Sequence, residues 1–400
     1  MKRQEFIKKS ALAGLGLPLL SLLSSCKEDN ILPNEIDTNF SGNVLIIGAG
    51  AAGLMAGHFL DQYGIDFQIL EASLVYGGRV KRADTFADFP IDLGAEWIHT
   101  DPSILADLVN DPGVQASIDI INYRPEEIYV WKNDELKKRN FFSNFYAEHK
   151  FKNTTWFGFL ENYIVPGIAD RIIYDSPVAA IDHSGNRTMV TAGSATYEAD
   201  RVILTVPLTI LQNDSIAFTP ALPAAKQTAL GKVDMPSGLK VFLEFSERFY
   251  PDMILDGGLL EQQDIYGEKA LYDAAFRKDS NQNIFGLFAV GDPAKEYTDQ
   301  GDNDAIVAYL IDELDQMFDG KASRFYQKHV IQNWLAEPYI LGSYSHYEDN
   351  NREQTMRDLR QPLENKVYFA GEAYHDDWQS TVHGAGLSAY DAVREILRNA

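Results

Sequence analysis

The stretch Gly238-Leu239-Lys240-Val241-Phe242-Leu243-Glu244-Phe245 has the two-residue period of a β-strand and carries one lysine among apolar side chains. Lys240 is either a solvated residue on the outer face of that strand or a cation held at a reaction centre. A second chemical signature lies far upstream. Val44 to Ile47 reads as a buried strand, and Gly48-Ala49-Gly50-Ala51-Ala52-Gly53 leads from it into a helix ending near Gly64. Gly48 permits the tight turn, Gly50 lets the backbone approach a pyrophosphate, and Gly53 allows helix and strand to pack closely. The helix start at Ala51 and Ala52 faces the phosphate charge. Phe67 to Leu70 reads as the next strand and delivers Glu71, whose carboxylate can accept hydrogen bonds from ribose hydroxyls. No metal site is expected, because the eight histidines show no HExxH or similar ligand spacing.

The elements that must position these groups are spread along the chain. Asp101-Pro102-Ser103 starts a helix. Val178 opens short strands with a Ser-Gly-Asn turn, and a buried strand from Arg201 to Val206 ends at Pro207. Strands are predicted at Lys240 to Phe245 and Ile284 to Val290, with a helix over Asn303 to Phe318. Val367 to Ala370 is a strand followed by Gly371-Glu372, and Thr381-Val382-His383-Gly384-Ala385-Gly386 opens the last helix. Its small residues let free N–H groups approach a ligand.

At 400 residues the chain exceeds what one core usually serves, so two domains are expected. A hydrophobic content of 45% excludes a disordered chain. The net charge of −23 disfavours nucleic acid, which needs clustered Lys and Arg. Acidity serves solubility, and it can also attract cationic small molecules.

The first 25 residues read as an export signal: Lys2, Arg3, Lys8 and Lys9, then the apolar run Ala11 to Leu23. Leu23-Ser24-Ser25-Cys26 resembles a lipobox, which implies lipidation of Cys26 and anchoring at the cell envelope, on the periplasmic face or the cell surface. The alternative is a plain secretory signal. Residues 26–42 form a polar tether. With the single cysteine used for lipid, the mature body has no thiol for a disulfide or a flavin link.

Several blocks resemble the flavin-containing amine oxidases, a family that includes monoamine oxidases, polyamine oxidases and lysine-specific histone demethylases. They are Leu70-Glu71-Ala72, Gly77-Gly78-Arg79-Val80, and Ile91 through Gly94, Ala95, Glu96, Trp97 and Ile98 to His99. The likeness spans most of residues 43–99, 177–250 and 330–398 and lapses between them. It implies an α/β fold whose FAD-binding, Rossmann-like domain of glutathione-reductase type is built from 43–100, 177–233 and 329–400. An α+β substrate domain would take 101–176 and 234–328. The resemblance puts Gly78 and Arg79 along the FAD pyrophosphate, and Gly94 to Trp97 beneath the flavin. Val178 and Pro207 would flank the cofactor, Gly371 and Glu372 its ribityl, and Ser380, Thr381, Val382 and Ala385 the flavin ring. Trp334 and Tyr339, in Asn333-Trp334-Leu335-Ala336-Glu337-Pro338-Tyr339, would cross the flavin face.

The family lysine that holds a water against flavin N5 corresponds to Lys240. Tyr344 stands at one wall of the family's aromatic cage, and Thr381 at the other. Ser343 stands where monoamine oxidases carry the cysteine that bonds FAD, so the cofactor would be non-covalent. Trp97 replaces the arginine with which amino acid oxidases hold a carboxylate. His99 either tunes the protonation of an amine or hydrogen-bonds in the core. The implied activity is oxidation of a primary or secondary amine by hydride transfer to FAD. Imine hydrolysis and reoxidation by oxygen to peroxide would follow. The alternatives are an FAD-dependent dehydrogenase or desaturase of an apolar molecule, and a surface lipoprotein that merely binds FAD.

Overall fold

The structure, a computed structural model, describes residue 36 and residues 38–138, 148–256, 266–347 and 351–399. The export signal, Cys26 and most of the tether lie outside these residues.

Among the described residues, five parallel strands form the sheet that carries the glycine run. β1 (Asn43–Ile47) leads through α1 (Ala51–Gln62) to β2 (Asp66–Leu70), which pairs beside β1 in parallel. Strand Arg201–Leu204 flanks β1 on its other side, with Ile172–Ile173 and Val367–Phe369 at the sheet edges. Val44 to Ile47 are buried on both faces, so β1 is continuously apolar rather than alternating. The C-terminal helix α2 (Val382–Arg398) lies against α1, with the Phe59 and Tyr390 rings edge to face at 5.4 Å.

Residues 101–176 do not all belong to the substrate half, as the sequence had indicated. Ile172–Ile173 extends the parallel sheet beside β2, and Glu71 N–H donates to the Ile173 carbonyl at 2.8 Å. Helices Ile104–Val109 and Trp156–Tyr163 bury Leu105, Leu108, Trp156 and Phe159 in the same core as α1 and α2. Only the middle of the region joins the other half. The lapse of family-like pattern in this stretch hid the boundary, because a two-residue strand leaves no periodic signal.

The substrate half is built on β-structure. β3 (Trp97–Ile98) pairs antiparallel with β4 (Glu148–Phe151), setting Trp97 opposite Lys150. A larger sheet centres on β5 (Gly238–Phe245), β6 (Gly267–Asp273), β7 (Asn283–Gly291) and β8 (Tyr326–Asn333). Its order, among the described residues, is β8, β5, β7, β6, then strands 253–256, 128–132 and 135–138. β5 is buried on both faces. Leu239, Val241, Leu243 and Phe245 pack with Ile306, Leu310 and Leu314 of helix Asn303–Phe318. That helix starts where Asp302 accepts a bond from Ala305 N–H at 3.0 Å, a side-chain N-cap. The opposite face of β5 carries Lys240, Phe242 and Glu244 inward. Lys240 is 3% exposed, which excludes the solvated reading.

Candidate active site

The glycine run lies at the carboxyl edge of the parallel sheet, where open α/β sheets receive ligands. Gly48 takes a left-handed φ of +105° and donates to the Leu70 carbonyl at 2.8 Å. A Cβ on Gly53 would overlap the Gly48 carbonyl oxygen. Gly50 differs: its backbone is extended, and a Cβ there would meet nothing within 4 Å. This leaves an open cradle before the N–H groups of Ala51 and Ala52, at a helix start that no side chain caps. Gly78, at φ +57°, borders the same cradle, where an added Cβ would stand 3.4 Å from Gly50 Cα.

Glu71 closes one side. Its Oε2 accepts from Ala49 N–H at 2.6 Å and its Oε1 from Ser73 N–H and Oγ at 2.9 and 2.7 Å. Ala72 is carried beside it. Ser176 N–H donates to the Glu71 carbonyl at 2.9 Å, which brings the chain to Val178 at the start of strand Val178–Asp182. Pro207 begins the short helix Leu208–Gln212 just beyond the strand that flanks β1. An open, side-chain-free cradle at a helix start, with an acid at the end of the neighbouring strand, fits a dinucleotide.

Glu372 ties three distant segments together. It accepts from Arg79 Nη1 at 2.8 Å, from Ser345 N–H and Oγ at 3.1 and 2.7 Å, and from Ser380 N–H at 3.1 Å. Arg79 also donates to the Ser343 carbonyl at 2.6 Å. Gly371 N–H is held by Ser388 Oγ of α2 at 2.8 Å. Thr381 caps α2: its Oγ1 accepts from Gly384 N–H at 2.9 Å and donates to the Trp378 carbonyl at 2.7 Å. The hydroxyl of the residue expected at a cage wall thus accepts from the helix start and gives its proton to the Trp378 carbonyl, and Val382 and Ala385 are buried in that first turn. Trp334 donates from Nε1 to the Leu93 carbonyl at 3.2 Å, and a Cβ on Gly94 would lie 3.1 Å from its ring. Ala95 N–H bonds back to Arg79. Tyr339 stands in a left-handed turn at φ +63° and is 46% exposed.

Lys240 lies at the centre of a buried charge cluster. Its Nζ donates to Glu96 Oε2 at 2.5 Å and to the Asp92 carbonyl at 3.0 Å. Tyr272 also donates to Glu96 Oε2, and Lys150 pairs with Oε1. The Lys150 ammonium sits 4.6 Å from the Trp97 ring, 5.1 Å from Tyr123 and 4.9 Å from Tyr272. Burial opposes the Glu96 charge, yet the ammoniums of Lys150 and Lys240 outweigh it and hold this carboxyl well below its usual range. Burial, then the charge on Glu96, pushes Asp92 up to about 8. Burial and the nearby Lys150 charge bring Lys278 down to about 8. The sequence had grouped Glu96 with the residues passing beneath the flavin. The structure gives its side chain to the two lysines. Lys150 and Tyr272 were missed because each comes from a strand remote in sequence, and only the β3–β4 and β5–β7–β6 registers bring them in.

Register also places Glu268. Gly238, Val290 and Glu268 form one row across β5, β7 and β6, two residues along from the row of Lys240, Phe288 and Ala270. Tyr344 donates its hydroxyl to Glu268. His99 meets Glu148 of β4 through Nδ1 at 3.1 Å. His383, in the first turn of α2, is fully buried with no partner for either ring nitrogen among the described residues. Burial draws it down to about 3, so it is neutral. Among the described residues no three His, Cys, Asp or Glu gather as metal ligands, and no helix is long and apolar enough to cross a membrane.

The family model for flavin containing amine oxidoreductases matches residues 164–397, and one for NAD(P)-binding Rossmann-like domains matches 46–111. Lysine-specific histone demethylase 2 of Homo sapiens is 23% identical over 480 aligned residues, covering 96% of this chain and 56% of the relative. Polyamine oxidase 1 of Zea mays is 28% identical over 230 residues, covering 57% of this chain and 45% of the relative. The chain thus spans about half the length of these two curated relatives. Among solved structures, putrescine oxidase bound to putrescine superposes with a TM-score of 0.73 at 14% identity, covering 90% of this chain and 99% of that one. Cyclohexylamine oxidase from Brevibacterium oxydans gives 0.74 at 16%, with the same 90% and 99% coverage. At such identities the likeness speaks for the fold.

Proposed function

Because this chain belongs to the flavin-containing amine oxidoreductase family, we propose that it oxidises a small primary or secondary amine at non-covalently held FAD. One observation carries the reading: a buried lysine, Lys240, on the inner face of the substrate sheet, tied to the 92–96 segment that runs from the cofactor half. FAD, when bound, would accept hydride from the carbon beside nitrogen, and the net reaction turns amine, oxygen and water into a carbonyl compound, ammonia or a smaller amine, and hydrogen peroxide. The open cradle at Gly50, with Glu71 beside it, would hold the dinucleotide. Ser343 offers no sulfur to bond the flavin, and its hydroxyl donates to the Pro236 carbonyl.

The chain's own residues would prepare the amine. Glu148 and Glu268 bring negative charge toward an incoming ammonium. His99 meets Glu148 through Nδ1 at 3.1 Å, which would leave its other ring nitrogen to take a proton from the ammonium before oxidation. The Tyr344 ring, fixed through its hydroxyl by Glu268, would orient the nitrogen. A substrate with no charge would gain nothing from these acids, which weighs against an apolar desaturase substrate. The same reading anchors the enzyme to the envelope through a lipidated Cys26. Mass analysis of the N-terminal fragment should find a diacylglyceryl cysteine there, and a free thiol would refute the anchor.

The test is peroxide release from flavin-loaded protein in air with a panel of mono-, di- and polyamines. Amine-dependent peroxide is the expected result. A flavin-loaded protein that makes none with any amine would overturn the proposal.

A further inference from the structure

Lys240 has three N–H bonds, and the structure accounts for two of them, to Glu96 Oε2 and the Asp92 carbonyl. Tetrahedral geometry then fixes where the third points. Glu96 is itself immobilised: Lys150 holds Oε1, and Tyr272 shares Oε2 with Lys240. Glu96 is 6% exposed and Lys150 3%, so no solvent competes for these bonds. Lys150 is boxed by three aromatic rings, and Tyr272 is itself fully buried. An isolated buried pair would do no more than break even against desolvation. Here one carboxylate is shared by two ammoniums and a phenol, a costly arrangement for structure alone.

From this geometry we propose that Glu96, braced by Lys150 and Tyr272, is the positioning residue that aims Lys240. The proposal rests on the reading that Lys240 faces bound FAD. It adds that the lysine's orientation comes from a carboxylate on the segment beneath the cofactor, not from β5 alone. Lys150 neutralises that carboxylate in part, so the cluster presents net positive charge from Lys240's side. Glu96 touches no reacting atom; it acts through Lys240.

The test uses FAD-loaded wild type, Glu96→Gln, Tyr272→Phe and Lys240→Met. The readouts are the midpoint potential of the bound flavin and the rate of reoxidation by oxygen after anaerobic reduction. Lys240→Met removes a positive charge and should shift the potential negative and slow reoxidation. Glu96→Gln unmasks positive charge and should shift the potential positive. It should still slow reoxidation, by about tenfold, the worth of one charge-assisted hydrogen bond. A merely structural role would not give opposite potentials with the same kinetic direction. Tyr272→Phe keeps every charge and both bonds of Lys240, loosening only the Glu96 carboxylate, and should slow reoxidation about two- to threefold. It decides alone if Glu96→Gln fails to load flavin. If only Lys240→Met departs from wild type, the positioning role of Glu96 is overturned and the reading of Lys240 stands. If all three variants match wild type, the reading of Lys240 falls as well.

Discussion

The two ends of the proposed site are built on different principles. At the Gly48–Glu71 end, one continuous stretch of chain makes strand, turn, helix, strand and acid, and the backbone would do most of the binding. At the Lys240 end, side chains from β4, β5 and β6 meet at the single carboxylate of Glu96, just before β3, and little of it is local in sequence. The first end tolerates no added atom where backbones touch, yet leaves open space where a ligand belongs. The second is a buried cluster that relies on charge balance. Damage should therefore look different at each end.

The largest effect is expected where backbones touch. Gly53→Val drives a side chain into the Gly48 carbonyl and should cost more than about 4 kcal/mol, leaving little soluble folded protein. Its counterpart Gly50→Val places the new side chain in open space, so the apoprotein should keep its thermal midpoint while flavin absorbance after purification is lost. Equal behaviour of the two variants would erase the distinction between packing glycine and ligand glycine.

Next comes the joint between the ends. Glu372→Ala leaves the Arg79 guanidinium without its carboxylate partner and should destabilise by about 3–5 kcal/mol in urea titration. A loss near zero would mean that the three segments are held by packing alone.

A pH effect should single out the Lys240 end. Asp92 faces Glu96, Lys240, Lys278 and Lys150, and its carboxyl titrates near 8 instead of near the ordinary 3.8. The folded state then holds a proton that the unfolded chain has released. Its contribution to stability is full below about 4, and is lost as pH rises through 8. Asp92→Asn should flatten that decline between pH 5 and 8, roughly the span of the shifted carboxyl. An unchanged pH–stability curve would place the decline elsewhere.

The smallest effect is expected at Tyr344→Phe, which removes one hydroxyl from Glu268. A loss of about 0.5–1.5 kcal/mol should appear in kcat/KM for amines, carried mostly by KM. A fall in kcat alone would give Tyr344 a role beyond orientation.

The contrast between the ends also explains what could be read from the sequence. Gly48, Gly50, Gly53 and Glu71 were legible because their geometry is local: each glycine answers a backbone demand within a few residues. Helix Asn303–Phe318 was legible by its period, and the last helix by the small residues that open it. Lys240 was legible only as a question, since strand alternation cannot say what lies across from a side chain. Lys150, Tyr272 and Glu268 carried no signal of their own, because strand register decides their partners. The strand Ile172–Ile173 was too short to announce itself, so residues around it were assigned to the wrong half.

The central claim is that Lys240 serves amine oxidation at a bound flavin. The most direct measurement is stopped-flow absorbance of the flavin, first mixed anaerobically with amine and then with oxygen, in wild type and Lys240→Met. The account expects an amine to bleach both proteins and the variant to reoxidise about 100-fold more slowly, the usual cost of losing one preorganised electrostatic group. Flavin that no amine bleaches, or a variant that reoxidises at the wild-type rate, would contradict it.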